Sequence, residues 1–183
     1  MGGAMNAQTS VLLTDLYQLT MLQGYFDQRM EGTAVFEFFV RKLPPQRNFL
    51  VAAGLEQVLT FLENLRLTGE ELEWLSGHGE FRPAFLRYLE RMRFTGDVHA
   101  LPEGTIFFPN EPILRVTAPL PEAQLVESRL INLVHFQTVI ASKAVRSVLV
   151  APNKLLVDFG MRRAHGGEAG LLAARASYMV GFA

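Results

Sequence analysis

The chain contains no cysteine, which excludes a disulfide framework and any thiolate metal centre. It also lacks an excess of charge of either sign. Its 17 Lys and Arg against 18 Asp and Glu leave a formal net charge of -1. General binders of nucleic acid or of anionic membranes need a clustered basic surplus, so any anion site here must be local. The opening "MGGAMNAQTS" has no basic stretch leading into an apolar core, and reads as no signal peptide. Met5 marks the residues before it as a start-site artefact. No apolar run approaches the ~20 residues of a membrane span, and with zero cysteine this points to the cytoplasm. Neither of the common phosphate-cradling patterns, G-x-x-x-x-G-K-[ST] or G-x-G-x-x-G, occurs. There is no G-x-S-x-G hydrolase elbow either. The four histidines, His78, His99, His135 and His165, form no H-x-x-x-H pair, which argues against zinc held by the protein.

What remains is a chain of 183 residues, 49% hydrophobic, enough for one sizeable domain or for one and part of another. Leu16, Leu19, Leu22 and Phe26 recur at helical spacing and predict a helix over 14–29, with Thr14 as N-cap. "TAVFEFFVRK" (33–42) is β-branched and aromatic and predicts a strand, broken by "LPPQRN". Leu55, Val58, Leu59 and Leu62 mark a second helix. Thr68 and Glu71 form a capping box for a third, and Pro83 opens a fourth that runs to Met92. Three short apolar runs divided by Pro, Gly and Asn follow between 96 and 122, the pattern of short antiparallel strands. Residues 121–150 read as one long helix, "NKLLVDFG" (153–160) as a buried strand, and 167–182 as a last helix. The expected layout is a mixed α/β domain over 1–120, then the first helix, strand and helix of an α/β barrel over 121–183.

The stretch "LLVDFGMRRAHGG" (155–167) carries the strongest chemical signal. In α/β sheets and barrels, ligands gather at the carboxyl ends of strands. A strand over Leu155–Asp158 would place Phe159, Gly160, Arg162, Arg163 and His165 there. Gly166 and Gly167 would then expose backbone N–H groups at a helix start, a natural anion site. Two arginines add forked, charge-assisted hydrogen bonds to carboxylate or phosphate. The competing reading is a solvated loop in which Asp158 pairs with Arg162 and Arg163. Elsewhere, Tyr17 lies one residue off the apolar face of its helix and reads as a core-edge residue with a wet hydroxyl. Arg41 and Lys42 end a strand and read as solvated. Ser128, Asn132 and His135 form a polar stripe on the long helix, with Glu127 on a different face.

In order and spacing, "TDLYQLTM", "FEFFVRKLP", "ESRLINLVHFQTVIASKA" and "DFGMRRAHG" together resemble nicotinate phosphoribosyltransferases. The resemblance runs from about Leu13 to the last residue. It implies an α/β protein with an N-terminal domain and an incomplete barrel of the type II phosphoribosyltransferase kind, assembled as a homodimer with shared sites. It also implies formation of nicotinate mononucleotide from nicotinate and phosphoribosyl pyrophosphate, with Mg²⁺ on the pyrophosphate and ATP as a coupled co-substrate. By position, Tyr17 would stack on the pyridine ring across the dimer and Phe159 would cover its other face. Arg162 would be the catalytic arginine, holding the nicotinate carboxylate or the pyrophosphate. Arg41 would reach the phosphates of the ribosyl donor, within the chain or across the dimer. Arg163 and His165 would belong to the substrate shell. Family members are about twice this length, and their phosphorylated histidine in a "GT-x-AH" segment lies past the equivalent of Ala183, so His165 is not that residue. The chain is expected to be a fragment or a natural half-protein. The alternatives are a quinolinate or nicotinamide phosphoribosyltransferase, a non-catalytic binding or regulatory member of the family, and a structural α/β module. The paired arginines favour a ring bearing a carboxylate over one bearing an amide.

Overall fold

A computed structural model describes residues 10–78 and 80–183. The reading of the first nine residues lies outside them. Six helices and five strands follow in the order α1 (Leu16–Gln28), β1 (Thr33–Phe38), β2 (Leu50–Val51), α2 (Leu55–Glu63), α3 (Gly69–Gly77), α4 (Pro83–Arg91), β3 (Asp97–Ala100), β4 (Ile106–Phe107), β5 (Leu114–Pro119), α5 (Leu120–Val150) and α6 (Gly167–Met179). The strands form a three-stranded sheet of order β1-β5-β3 and an antiparallel pair, β2-β4, in which Leu50 faces Phe107. The architecture is mixed α/β.

The chain forms two compact units, neither of them one continuous segment. Residues through Phe36, Leu59–Val98 and Val116–Leu130 make the first; Glu37–Val58, His99–Arg115 and Ile131–Ala183 make the second. The expected boundary near residue 120 falls where β5 gives way to α5. In the first unit the buried core includes Leu19, Leu22, Leu65, Leu75, Phe85 and Leu89. Phe26 meets Phe85 and Tyr88 with ring centroids 5.9 and 5.0 Å apart. The Thr68 capping box forms as predicted: Glu71 N–H donates to Thr68 Oγ1 (3.2 Å) and Thr68 N–H donates to Glu71 Oε2 (2.7 Å). Ser10 donates to the other oxygen of the same buried carboxylate. At α1 the cap is Asp15 and not Thr14, and its side chain makes no capping bond. The carboxylate is instead engaged by Ser128 Oγ, at 3.1 Å.

The second unit packs Val51, Ala53, Ala141 and Ala176 together, flanked by Phe49, Ile140 and Met179. Small residues there let backbones approach. Two α5 hydroxyls serve β2 and the turn after it: Ser142 Oγ accepts from Val51 N–H (2.8 Å), and Thr138 Oγ1 accepts from Ala53 N–H (3.2 Å). One 18-residue stretch of α5 reaches a mean hydropathy of 1.2. That stretch is 39% buried, and along α5 the buried residues include Leu125, Val126, Leu133 and Ala141 as well as the polar Arg129 and Gln137.

Gly54 marks the closest approach. It sits at φ +103°, and a Cβ there would lie 2.7 Å from the Leu133 carbonyl oxygen and 3.1 Å from Val134 Cα. Both obstacles are backbone, so neither can rotate away. Gly54→Ala should therefore cost about 2 kcal/mol in urea unfolding, from the left-handed φ plus the displaced contact. A loss within about 0.5 kcal/mol, the range of an ordinary surface substitution, would show that α5 yields there.

Two expectations need correction. The first strand stops at Phe38 and does not reach Lys42, although Phe38 and Val40 still accept backbone bonds from Ile113 and Asn110. More consequentially, residues 153–160 are not a buried strand. Leu155 is 82% exposed and Val157 is 55% exposed. Ala183 N–H donates to Leu156 O (2.8 Å), but one bond is not a ladder. The apolar run signalled a strand, but a strand also needs a paired neighbour on each buried edge.

Candidate functional site

The loop that leaves this extended run is built by its own short-range bonds. Asp158 Oδ1 accepts from Gly160 N–H at 2.8 Å, so the acid folds back on the loop. It makes no ion pair with either arginine among the described residues, while both arginines are exposed, so the loop is solvated as the competing reading has it but Asp158 is not the partner. A 3₁₀ turn over Met161–Arg163 follows, closed by Arg163 N–H to Gly160 O (2.8 Å) and Ala164 N–H to Met161 O (3.2 Å). Met161 lies over Gly170 of α6, where a Cβ would have no room. Gly166, at φ +97°, is the N-cap of α6, a backbone conformation that suits glycine.

This turn sends the paired arginines to different places. The Arg162 guanidinium carbon lies 5.7 Å from the centroid of the Phe159 ring, within cation–π reach. Phe159 is 81% exposed and Arg162 is exposed too, so an aromatic ring and the cation lying over it stand together in solvent. Arg163 and His165 instead line a cavity of about 500 Å³ in the second unit, together with Lys143 and Ser147 of α5, Val157 and Asp158. Among the described residues, Lys143, Arg163 and His165 make no ion pair. Three unpaired basic side chains at one cavity, beside the start of a helix, are suited to an anion.

Lys143 escaped the sequence reading. Its only signal is a charge inside the small and apolar run "VIASKAV". The polar stripe on α5 is partly as read. Ser128 faces Asp15 and Gln18, whereas His135 is exposed. Glu127 shares Ser128's partner, since Gln18 Nε2 donates to Glu127 Oε2 at 3.1 Å and to Ser128 Oγ at 3.3 Å. The two remain consecutive around α5, on different faces as read, and the long Gln18 side chain bridges them. Tyr17 is half exposed on α1, in the first unit. Its hydroxyl is not simply wet, for it accepts from Gln18 Nε2 at 3.1 Å. Arg41 is exposed just past β1, in the second unit.

A different cavity, about 590 Å³, occurs in the first unit among Arg87, Arg91, Arg93, Tyr88 and Glu122. Arg93 there is engaged by the carbonyls of Glu90 and Met92, and Glu122 by Thr95. Burial first, then the Glu122 and Glu31 carboxylates, push the Tyr88 phenol above its usual range. Each cavity thus sets one carboxylate, Glu122 or Asp158, among its basic side chains.

The profile of the nicotinate phosphoribosyltransferase N-terminal domain matches residues 12–135, and the chain belongs to that family. It is 52% identical over 180 residues to a nicotinate phosphoribosyltransferase of Mycobacterium tuberculosis, covering 98% of this chain and 39% of that one. Against the human nicotinate phosphoribosyltransferase, identity is 40% over 176 residues, covering 93% and 33%. The crystal structure of human nicotinic acid phosphoribosyltransferase superposes with a TM-score of 0.83 at 40% identity, over 93% of this chain and 35% of that one. The nicotinate-nucleotide pyrophosphorylase of Pyrococcus furiosus shares the fold, with a TM-score of 0.75 at 23% identity over 97% and 39%. The chain thus spans about two fifths or less of the length of these relatives.

Proposed function

We propose that the chain is a nicotinate phosphoribosyltransferase or its N-terminal half, binding nicotinate and phosphoribosyl pyrophosphate on the way to nicotinate mononucleotide. The observation that carries this reading is the split of the 159–165 loop. On one side, Phe159 and Arg162 offer a ring face and a cation together, which suits an aromatic carboxylate. On the other, Arg163, His165 and Lys143 line a cavity that suits phosphoryl oxygens. Tyr17 supplies the second ring face, across a homodimer, and Arg41 a further phosphate contact. In this reading the 155–158 run gains strand neighbours only from the rest of an α/β barrel, whose layer would cover the apolar faces of Leu155, Val157, Leu171 and Tyr178, all exposed here.

In this reaction the ring nitrogen forms its bond to ribose C1 as the bond from C1 to the pyrophosphate oxygen breaks, and the electron pair leaves on pyrophosphate. Positive charge grows on the sugar and negative charge departs, so positioning and fixed cations do most of the catalysis. No nucleophilic side chain is required. Among the described residues no three His, Asp or Glu gather to hold a metal ion. The resemblance implies Mg²⁺ carried on the pyrophosphate, which would offset charge on the leaving group when bound. Coupled ATP hydrolysis, the homodimer and a cytoplasmic setting are part of the same proposal, drawn from the family resemblance.

The test is equilibrium binding to the 183-residue chain. Nicotinate should bind more tightly than nicotinamide, and inorganic pyrophosphate should bind without displacing it. Absence of both binding events would overturn the proposal. Ligand binding without turnover is the second reading that the family resemblance offers. Formation of nicotinate mononucleotide from the two substrates separates the two readings.

A further inference from the structure

The start of α1 and a turn of α5 are joined by a buried polar cluster whose outer end is the Tyr17 hydroxyl. Gln18 lies at its centre with a fully buried side chain. Its amide nitrogen donates towards Tyr17 Oη (3.1 Å), Glu127 Oε2 (3.1 Å) and Ser128 Oγ (3.3 Å). An amide has two N–H bonds, so three acceptors share them. The amide oxygen accepts from Gln124 Nε2, and Ser128 Oγ in turn donates to Asp15 Oδ2 (3.1 Å). These partners fix which way the amide points. Turned over, it would set its oxygen against the Glu127 carboxylate and its NH₂ against that of Gln124, leaving buried groups unpaired at a cost.

Gln18 can therefore meet Tyr17 only as a donor. The Tyr17 oxygen accepts and its own O–H stays free to donate outwards, while the half-exposed ring remains open to a ligand. We infer that Gln18, held by Glu127, Gln124 and Ser128, is a positioning residue that fixes the Tyr17 phenol in its ligand-ready orientation. The inference rests on the reading of Tyr17 as a ring-stacking group. It explains why "TDLYQLTM" and "ESRL" are paired in one chain: the second segment supplies the polar floor for the tyrosine of the first. A fixed ring avoids losing side-chain freedom when a flat ligand stacks on it.

The experiment uses the 183-residue chain carrying ¹³C-labelled tyrosine. It has four tyrosines, and Tyr17→Phe identifies the Tyr17 signal by its loss. Gln18→Met keeps the length and removes both donors. The Tyr17 signal should shift while those of Tyr88 and Tyr178 stay in place. Glu127→Gln, which leaves Gln18 present but uncharges its anchor, should move the same signal less and serves if Gln18→Met fails to fold. Nicotinate affinity should fall about 3- to 10-fold in Gln18→Met. Adding Gln18→Met to Tyr17→Phe should bring almost no further loss, the mark of a coupled pair. A Tyr17 signal that moves in neither variant overturns the inference, as do losses that multiply in the double variant. Unchanged nicotinate affinity in Tyr17→Ala would instead sink the stacking reading, whatever the tyrosine signal does.

Discussion

Glu103→Ala is expected to destabilise the chain by about 3 kcal/mol, because one carboxylate serves two helices at once. Its Oε1 accepts from the backbone N–H groups of Gly54 (2.5 Å) and Leu55 (3.1 Å), and so satisfies the start of α2, which has few partners of its own. The same carboxylate meets Arg175 of α6 as a fork, Nη1 to Oε1 at 3.0 Å and Nη2 to Oε2 at 2.7 Å. Arg175 also reaches Glu56 and Gln137. With side chains 21% and 27% exposed, the pair is shielded enough to matter more than a surface bridge, though less than a dry one. Removing the acid leaves two N–H groups and a guanidinium short of partners. Glu103→Gln, which can still accept one set of bonds, should cost roughly half as much, since charge-assisted bonds are about twice as strong as neutral ones. Urea unfolding of the two variants checks the order, and equal losses would mean that shape rather than charge carries the contact.

The same residue sets a pH dependence. Burial works to raise the Glu103 pKa, but the Arg175 fork and the Gly54 and Leu55 N–H groups outweigh it and hold the carboxyl below its usual range. A carboxyl with a depressed folded pKa gives stability that is present above its unfolded value, about 4.3, and lost as pH falls through the folded value. The difference in stability between wild type and Glu103→Gln should thus be flat at neutral pH and shrink below about pH 4. Arg175 remains protonated throughout that window, its pKa raised first by the Glu103 bonds, and adds no slope.

Much of this fold was legible because local chemistry alone decides it. The Thr68–Glu71 box and the Pro83 start need nothing beyond their own turn. The long α5 was legible too, since its period persists over 31 residues. What failed was whatever depends on a partner distant in sequence. β2 is two residues long and exists through Phe107 and Ile106, which no local pattern announces. The 155–158 run has a strand's composition without a strand's neighbours. Phe159, Arg162, Arg163 and His165 were legible as one group, but the parting of Arg162 from Arg163 follows from a 3₁₀ turn that "GMRRA" does not spell out. Gln18 was hidden because a glutamine on a helix reads as surface until an opposing helix supplies Glu127 and Ser128.

Arg162→Ala should weaken nicotinate binding by about 2–3 kcal/mol, about 30- to 150-fold, if its fork takes the ring carboxylate. Two features set that magnitude. The guanidinium is already held beside Phe159, so little side-chain freedom is lost when the ligand arrives. Among the described residues it also makes no ion pair, and Asp158 accepts instead from Gly160 N–H. Nicotinamide, which offers no anion, should lose far less, and the ratio between the two ligands isolates the charge. Arg162→Lys keeps the charge but not the planar fork or the stacking, so it should recover only part of the loss. Arg163→Ala supplies the contrast. Its side chain lines the cavity and not the Phe159 face, so nicotinate affinity should stay within about threefold of wild type while pyrophosphate affinity falls by about tenfold or more. Calorimetric titration of both ligands into the three variants reads all of these values. Equal nicotinate losses in Arg162→Ala and Arg163→Ala would show that the turn does not divide the arginines, and that one pooled positive field binds both anions.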